Sequence, residues 1–585
     1  MRPHSLGALA VGIFLLPIIA IAQAPPLPQG ATQPGPPVPR MQMPPRDGTA
    51  AEPVTGTARI RGRVVAADTG APLRRAQVRL SAAEVRVNRS ATTDAEGRYE
   101  FPELPAGRYN VFVSRSGFVS LSFGQQRPFE QGRPLDLGNG QEADKIDFAL
   151  PRGGVIAGRV TDELGEPLAG VRVQAMRYQY LPNGRRQLTP VSGGVFGSPL
   201  TNDLGEFRLY SLMPGTYVVS ATPADTMVMM PAGPAGPASI SAPDDGHGVT
   251  YYPGTINVDE AQPITVGLAD VSNGSFALVP QRMTRISGVV RNSQGKPFAA
   301  VLTLRTQAGA GMAMRMLAMA GADGRFAASN VPPGEHTIEV SPRPGDEESA
   351  SVPITAGGQD LADLVITTSP GVTISGHVTF EGAAPAEKTL RVNAVSPDPG
   401  IPGPMRIFDN TQGVIDEKGR FQLRGLSGRA MFNVFPIAPM AGPSTWLVKS
   451  VTFNGENITD VPLDMAAVTD GSTVEIVMTD KQTTLSGAVR DTRGQPVIDY
   501  TVVVFPSQVR EGAMAGRYTR VVRPDQQGRF QLRGLPPGDY FAAAVESLEQ
   551  GGHWDPAFRK QVEPAAKRFR LTEGQTATID LTLTP

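Results

Sequence analysis

The chain of 585 residues contains no cysteine, so it forms no disulfide and offers no thiolate for catalysis, metal binding or lipid attachment. Histidine is scarce too, with five residues to serve as bases or ligands. Aromatic residues make up 6% of the chain and tryptophan occurs twice, which leaves little material for ring platforms that stack on sugars. The formal net charge is -1 and no run of like charges occurs. That excludes the basic footprint of a nucleic-acid binder and the polybasic patch of a membrane-surface protein. The one long apolar stretch, Gly7 to Ala20, is short for a bilayer span, and no transmembrane segment is expected in the mature chain.

Turn formers are abundant instead. Gly (65) and Pro (55) together make about a fifth of the residues, as suits short strands with many connections. The N-terminus has the marks of an export signal over residues 1–22: Arg2, the apolar stretch, then Ala20-Ile21-Ala22 as a small-x-small cleavage pattern. Ala22-Gln23-Ala24 is a second option for the cut. Residues 23–56 follow as a Pro-rich linker (Pro25-Pro26, Pro36-Pro37, Pro44-Pro45) expected to be disordered or polyproline-like. The expected destination is the periplasm, cell surface or medium of a bacterium.

Beyond the linker one pattern is written five times. It opens at Ile60-Arg61-Gly62, Ile156-Ala157-Gly158, Ile286-Ser287-Gly288, Ile374-Ser375-Gly376 and Leu485-Ser486-Gly487. The glycines lie 96, 130, 88 and 111 residues apart, which is domain spacing rather than solenoid spacing. Each opening leads to an alternating strand such as Ala76-Gln77-Val78-Arg79-Leu80. A hairpin turn follows at Asp94 to Gly97, and again at Asp416 to Gly419 and Asp525 to Gly528. Asn202 stands for the Asp in the second copy; Gly321 does so in the third, which weakens that turn. Then comes Leu104-Pro105-Ala106-Gly107-Arg108-Tyr109, with counterparts ending in Tyr217 and Tyr540. A Tyr there can bond back to the backbone as a tyrosine corner, but His336 and Ala430 occupy the position in copies three and four. No amphipathic helix of ten or more residues is expected outside the signal.

The pattern apolar-x-Gly-x-Val, Gly-x-Pro-Leu, Asp-x-x-Gly-Arg-Phe and Leu-Pro-x-Gly-x-Tyr resembles the carboxypeptidase regulatory-like domain. The resemblance implies a transthyretin-like (prealbumin-like) sandwich of about seven strands, near the starch-binding-domain-like group, and modules that accompany catalysis without performing it. It implies an all-β chain, a tandem array of five antiparallel β-sandwiches at 57–151, 152–281 (with long loops), 282–369, 370–480 and 481–585. Links of four to seven residues between copies predict a semi-rigid rod or arc.

A search for chemistry leads nowhere specific. His336 and Glu339 have His-x-x-Glu spacing, but on a strand they point to opposite faces and cannot share a metal. No nucleophile elbow, P-loop or calcium loop is present. The Met-rich tracts Met312-Met314-Met316-Met319 and Met227-Met229-Met230 are compatible with soft metal, though flexible loops are the simpler reading. The expectation is therefore a non-enzymatic scaffold or binding protein of the cell envelope, with no catalytic residue, cofactor or metal. Its alternative is a carbohydrate-binding protein using exposed aromatics on the sandwich loops. The candidate ligand-binding residues are Trp446, Trp554, Tyr251 and Tyr252, with a polysaccharide or another envelope protein as partner.

Overall fold

The computed structural model describes residues 55–584, apart from 83, 86, 192–198, 224–244, 309–310, 342–347, 383–389, 398–411, 437–445, 470 and 509–514. The signal, nearly all of the linker, and Met227, Met229 and Met230 lie outside the described residues. Residues 53–585 form one compact unit, and its regular structure is almost entirely strand.

The first repeat sets the plan. β1 (Ala58–Ala66), β2 (Gln77–Ala82), β3 (Val87–Thr92), β4 (Arg98–Leu104) and β5 (Gly107–Ser114) are followed by four short strands. These are β6 (Leu121–Ser122), β7 (Leu135–Leu137), β8 (Glu142–Ala143) and β9 (Phe148–Leu150). One layer runs β4-β1-β8 with β9 also on β1; the other runs β3-β2-β5-β6 with β7 also on β5. Alternation decides which faces meet. Val78, Leu80 and Ala82 of β2 are buried while Gln77, Arg79 and Ser81 are exposed. The inward set packs with Ile60, Val64, Phe101, Val111 and Phe148 into one core. The same pairing recurs around Gly154–Thr161, Thr284–Arg291, Val372–Glu381 and Thr484–Arg490, each beside an apolar cluster of its own.

The layer built on β1 is mixed, whereas the β3-β2-β5-β6 layer with β7 is purely antiparallel. β1 pairs antiparallel with β4 but parallel with β8 and β9. Parallel neighbours need a long crossover, and here the whole second layer supplies it. Between β8 and β9 the closing stretch passes directly over Gly62. A Cβ on Gly62 would lie 1.9 Å from the Ile146 carbonyl oxygen, and one on Gly288, Gly376 or Gly487 would lie 2.0, 2.3 or 1.7 Å from the matching carbonyl. The opening glycine is thus the point where two strands touch backbone to backbone.

Two further devices repeat. The turn acceptor is satisfied by the backbone: Asp94 Oδ1 accepts from the N–H groups of Glu96 (3.0 Å) and Arg98 (2.7 Å). Asn202, Asp416 and Asp525 do the same. The third hairpin forms without such an acceptor at its first position, closed by Gly321 N–H to Arg325 O at 3.0 Å, with Gly324 at φ 72°. Just before each Leu-Pro-x-Gly turn one residue is left-handed: Glu103 (φ 54°), Ser211 (63°), Asn330 (60°), Gly425 (68°) and Gly534 (75°). In the first four copies this residue sits in a β-bulge opposite the opening strand.

The Met tract 311–319 is a strand, not a loop: Gly311–Met319 pairs antiparallel with Val301–Ala308. The run of alternating Met is a strand pattern hidden by its Gly/Ala neighbours. The fifth repeat adds a helix, α1 (Pro556–Val562), whose start is capped by Asp555 accepting from Ala557 N–H at 2.8 Å. Val562 of α1 packs over Val503, Phe505, Ala543 and Val545. This explains why Thr501–Phe505 is buried on both faces.

Candidate functional site

The four aromatic candidates are not brought together. Trp446 is only 8% exposed and stands edge-on to Phe380 at 5.1 Å inside the fourth core, so it offers no platform. Its place next to an alternating strand makes it a core residue. Tyr251 is buried, its hydroxyl has no hydrogen-bond partner among the described residues, and burial raises its pKa to about 12. Tyr252 is half-buried against the edge of Phe276 at 6.0 Å. Trp554 is half-buried in the helical turn Gly552–Trp554, its ring 4.5 Å from that of His553.

The histidines hold local structure. His336 takes over the corner role of the tyrosines: Nε2 lies 2.7 Å from Pro332 O, as Tyr109 Oη lies 2.6 Å from Pro105 O and Tyr540 Oη 2.6 Å from Pro536 O. Its Nδ1 lies 2.9 Å from the Thr306 hydroxyl, and Glu339 pairs with Arg305 at 3.3 Å. Neither member of the His-x-x-Glu pair is free for a metal. His377 is exposed on its strand and bonds Lys418 O at 2.8 Å; His247 pairs with Glu163 at 3.0 Å. Among the described residues no cluster of three or more His, Asp or Glu is placed to hold a metal ion. No helix among them is long and apolar enough to cross a membrane.

The most heavily bonded feature was not expected. It is the loop Phe123–Pro134 of the first repeat, where the first, second and fifth repeats meet. Arg523 of the fifth repeat is fully buried and faces two carboxylates: Glu130 of the first repeat at 2.5 Å, itself buried, and Asp499 of its own repeat. Arg523 also donates to Gln131 O at 3.1 Å. Beside it Arg133 donates to Asp525 O at 2.5 Å, and burial lowers the Arg133 pKa. Phe129 adopts a left-handed backbone (φ 59°) and places its ring edge-on to Tyr217 of the second repeat at 6.5 Å. The Arg177 guanidinium lies 3.4 Å over that ring and pairs with Glu549 of the fifth repeat at 3.0 Å. Gln550 N–H donates to Phe129 O at 2.9 Å.

An extended rod is ruled out by these contacts. The joints are short, as expected, but their bend lets the first and fifth repeats touch through side chains and through backbone at Phe129–Glu130 and Glu549–Gln550. Next to this junction the two repeats leave an open cleft of about 560 Å³. Its first-repeat wall carries Arg108 and Asp136, 3.4 Å apart, with the Asp136 pKa raised by burial against the pull of Arg108. Its fifth-repeat wall is the strand Arg529–Arg533.

Comparison with known proteins accords with the fold of the first repeat. Residues 59–151 match the carboxypeptidase regulatory-like domain. The mixed layer, the crossing at the opening glycine and the left-handed residue before the turn carry the same plan through the later repeats, consistent with a tandem array. No curated protein matches the chain. Among solved structures the chain is similar to a Streptococcal ancillary pilin at 11% identity, over 53% of this chain and 98% of that one, with a TM-score of 0.20. It is also similar to GBS52, the minor pilin of Streptococcus agalactiae, at 14% identity over 38% and 95% of the two chains, with a TM-score of 0.20. The Bacillus anthracis TIE protein matches at 11% identity over 81% and 70%, with a TM-score of 0.13. At these scores the likenesses carry no functional argument.

Proposed function

We propose that the protein is an exported, non-enzymatic scaffold of the bacterial cell envelope, built from five sandwich modules at 57–151, 152–281, 282–369, 370–480 and 481–585. The observation that supports this reading is the Glu130–Arg523–Asp499 cluster between the first and fifth repeats, with Glu130 and Arg523 buried and Asp499 part-exposed. A chain that acted as a loose tether would have no use for a desolvated ion cluster between distant modules, since burying such charges is costly unless they are held in place. The engagement of His247, His336 and His377 in local structure supports a role without catalysis. Other modules present sheet edges and end loops through which a partner protein could be held.

The scaffold reading predicts that the exported chain begins near Gln23, recovered from the envelope or medium, and that it scatters as a docked particle. Small-angle scattering that fits a flexible chain of separate beads would overturn it. The carbohydrate-binding alternative rests on the part-exposed Trp554. Polysaccharide pull-down that is saturable and lost in Trp554→Ala would favour that alternative.

A further inference from the structure

The cleft between the first and fifth repeats has an uneven charge balance. Strand Arg529–Arg533 sends Phe530 into the core and turns Arg529, Gln531 and Arg533 toward the cleft. Arg529 and Arg533 are therefore spaced about 13 Å apart along one face. Among the described residues, three guanidinium groups and two carboxylates line the space. Glu84 stands 3.4 Å from Arg533, and Asp136 stands 3.4 Å from Arg108. That leaves Arg529 without a close carboxylate of its own: Asp525 is 3.9 Å away and already accepts two turn N–H groups, and Asp136, within electrostatic reach of Arg529, is paired with Arg108. The Arg529 and Arg533 side chains are 72% and 49% exposed, so both can reach a ligand.

We propose that this cleft binds an acidic polysaccharide, with Arg529 and Arg533 on its carboxylates and Gln527 and Gln531 on its hydroxyls. Guanidinium groups favour planar carboxylates, and amides both donate to and accept from hydroxyls. An acidic peptide fits less well. Among the described residues Leu137 is the one apolar side chain lining the cleft, and they form no pocket for the buried aromatic or aliphatic anchor on which protein partners depend. The site differs from the aromatic platforms sought in the sequence, and it needs no ring stacking. It rests on the scaffold reading in one respect: the cleft exists only while the first and fifth repeats are docked.

Titration calorimetry of the full mature chain tests it, with polygalacturonate as probe and dextran and polyglutamate as controls. Saturable polygalacturonate binding is expected, weakened at least about tenfold in Arg529→Ala/Arg533→Ala. Glu84→Gln frees Arg533 and should tighten binding a few-fold, and salt of roughly 0.5 M should abolish it in all forms. Absence of polygalacturonate binding, or binding that the double variant leaves unchanged, overturns the proposal. Equal binding of dextran overturns the charge-based site, and polyglutamate binding with the same arginine dependence replaces it with a peptide site. Scattering on the same samples separates the two failures. A docked chain that binds nothing sinks this inference alone, whereas an undocked chain sinks the scaffold reading with it.

Discussion

Glu130 and Arg523, from the first and fifth repeats, form an ion pair at 2.5 Å with both side chains almost completely buried. Such a pair gains little over an apolar contact of the same shape, but half of it is worse than none. Glu130→Ala leaves Arg523 with Asp499 alone and should cost about 3 kcal/mol in the docked state. Arg523→Ala should cost a similar amount, and the double variant distinctly less than the sum of the two. Denaturant unfolding followed at Trp554 and scattering give the two readouts. Additive losses would mean that the two charges do not act as a pair.

The crossing over the opening glycine makes a sharper prediction. In Gly487→Ala the new methyl would sit 1.7 Å from Ile579 O, and the obstacle is backbone rather than a movable side chain. The closing stretch must shift, and Ile579 N–H must give up its 2.8 Å bond to Ser486 O. A loss on the order of 3 kcal/mol or more is expected, localised by hydrogen exchange to the strands around Thr484–Arg490 and Leu581–Thr584. Unchanged protection there would show that the two strands separate at little cost.

Much of the fold was legible because it is written in local chemistry. The Asp94-to-Gly97 turn, the alternation of Val78 and Leu80, and the Tyr109 corner each follow from spacings of a few residues. The opening glycines were legible as landmarks, but their purpose needed the closing strand, which arrives some eighty residues later. Glu103 and Ser211 carry no sign of their left-handed backbone; Asn330, Gly425 and Gly534 at the same position give it away. The junction was not legible at all. Glu130 and Arg523 look like ordinary surface charges until the joints bend, and no periodicity marks Phe129 as the residue between three modules. Of the aromatic candidates Trp446 and Tyr251 are buried, while Tyr252 and Trp554 are half-buried, and nothing in their local sequence separates the two pairs.

Buried tyrosines, those of the corners among them, should set the alkaline limit of stability. Burial raises the pKa of Tyr109 and of Tyr217 to about 12 from an ordinary value of 10. Their hydroxyls must stay protonated to donate to Pro105 O and Met213 O. Below pH 10 both folded and unfolded chains hold the proton, so the contribution is complete. Between pH 10 and 12 the unfolded chain ionises first, and stability falls as pH rises. Phenolate absorbance should therefore rise together with loss of the β-sheet signal. Tyr109→Phe should cost about 1 kcal/mol at neutral pH, because Pro105 O loses its donor, and should lessen the alkaline decline by the share of one tyrosine. Ionisation completed at pH 10 with the sheets intact would contradict this.

His553 should mark the acid side. Burial, with Arg559 and Arg520 close by, lowers its pKa to about 4 from an ordinary 6.5. The ring lies 4.5 Å from that of Trp554 at the start of the helical segment that leads into α1. A depressed histidine is neutral in the folded chain. The stability it carries is complete above pH 6.5, declines as the unfolded chain takes up its proton, and is gone once pH falls through about 4. The upper part of that window lies above the ordinary carboxylate range, so the share of a loss between pH 6.5 and 5 that disappears on replacing His553 belongs to this ring. Thermal unfolding across those pH values, with hydrogen exchange on residues 551–562, should show the fifth repeat's helical segment loosening first. His553→Gln, which takes up no proton in this range, should be flat over the same interval. An identical slope in the wild type and the variant would assign the acid sensitivity to other groups.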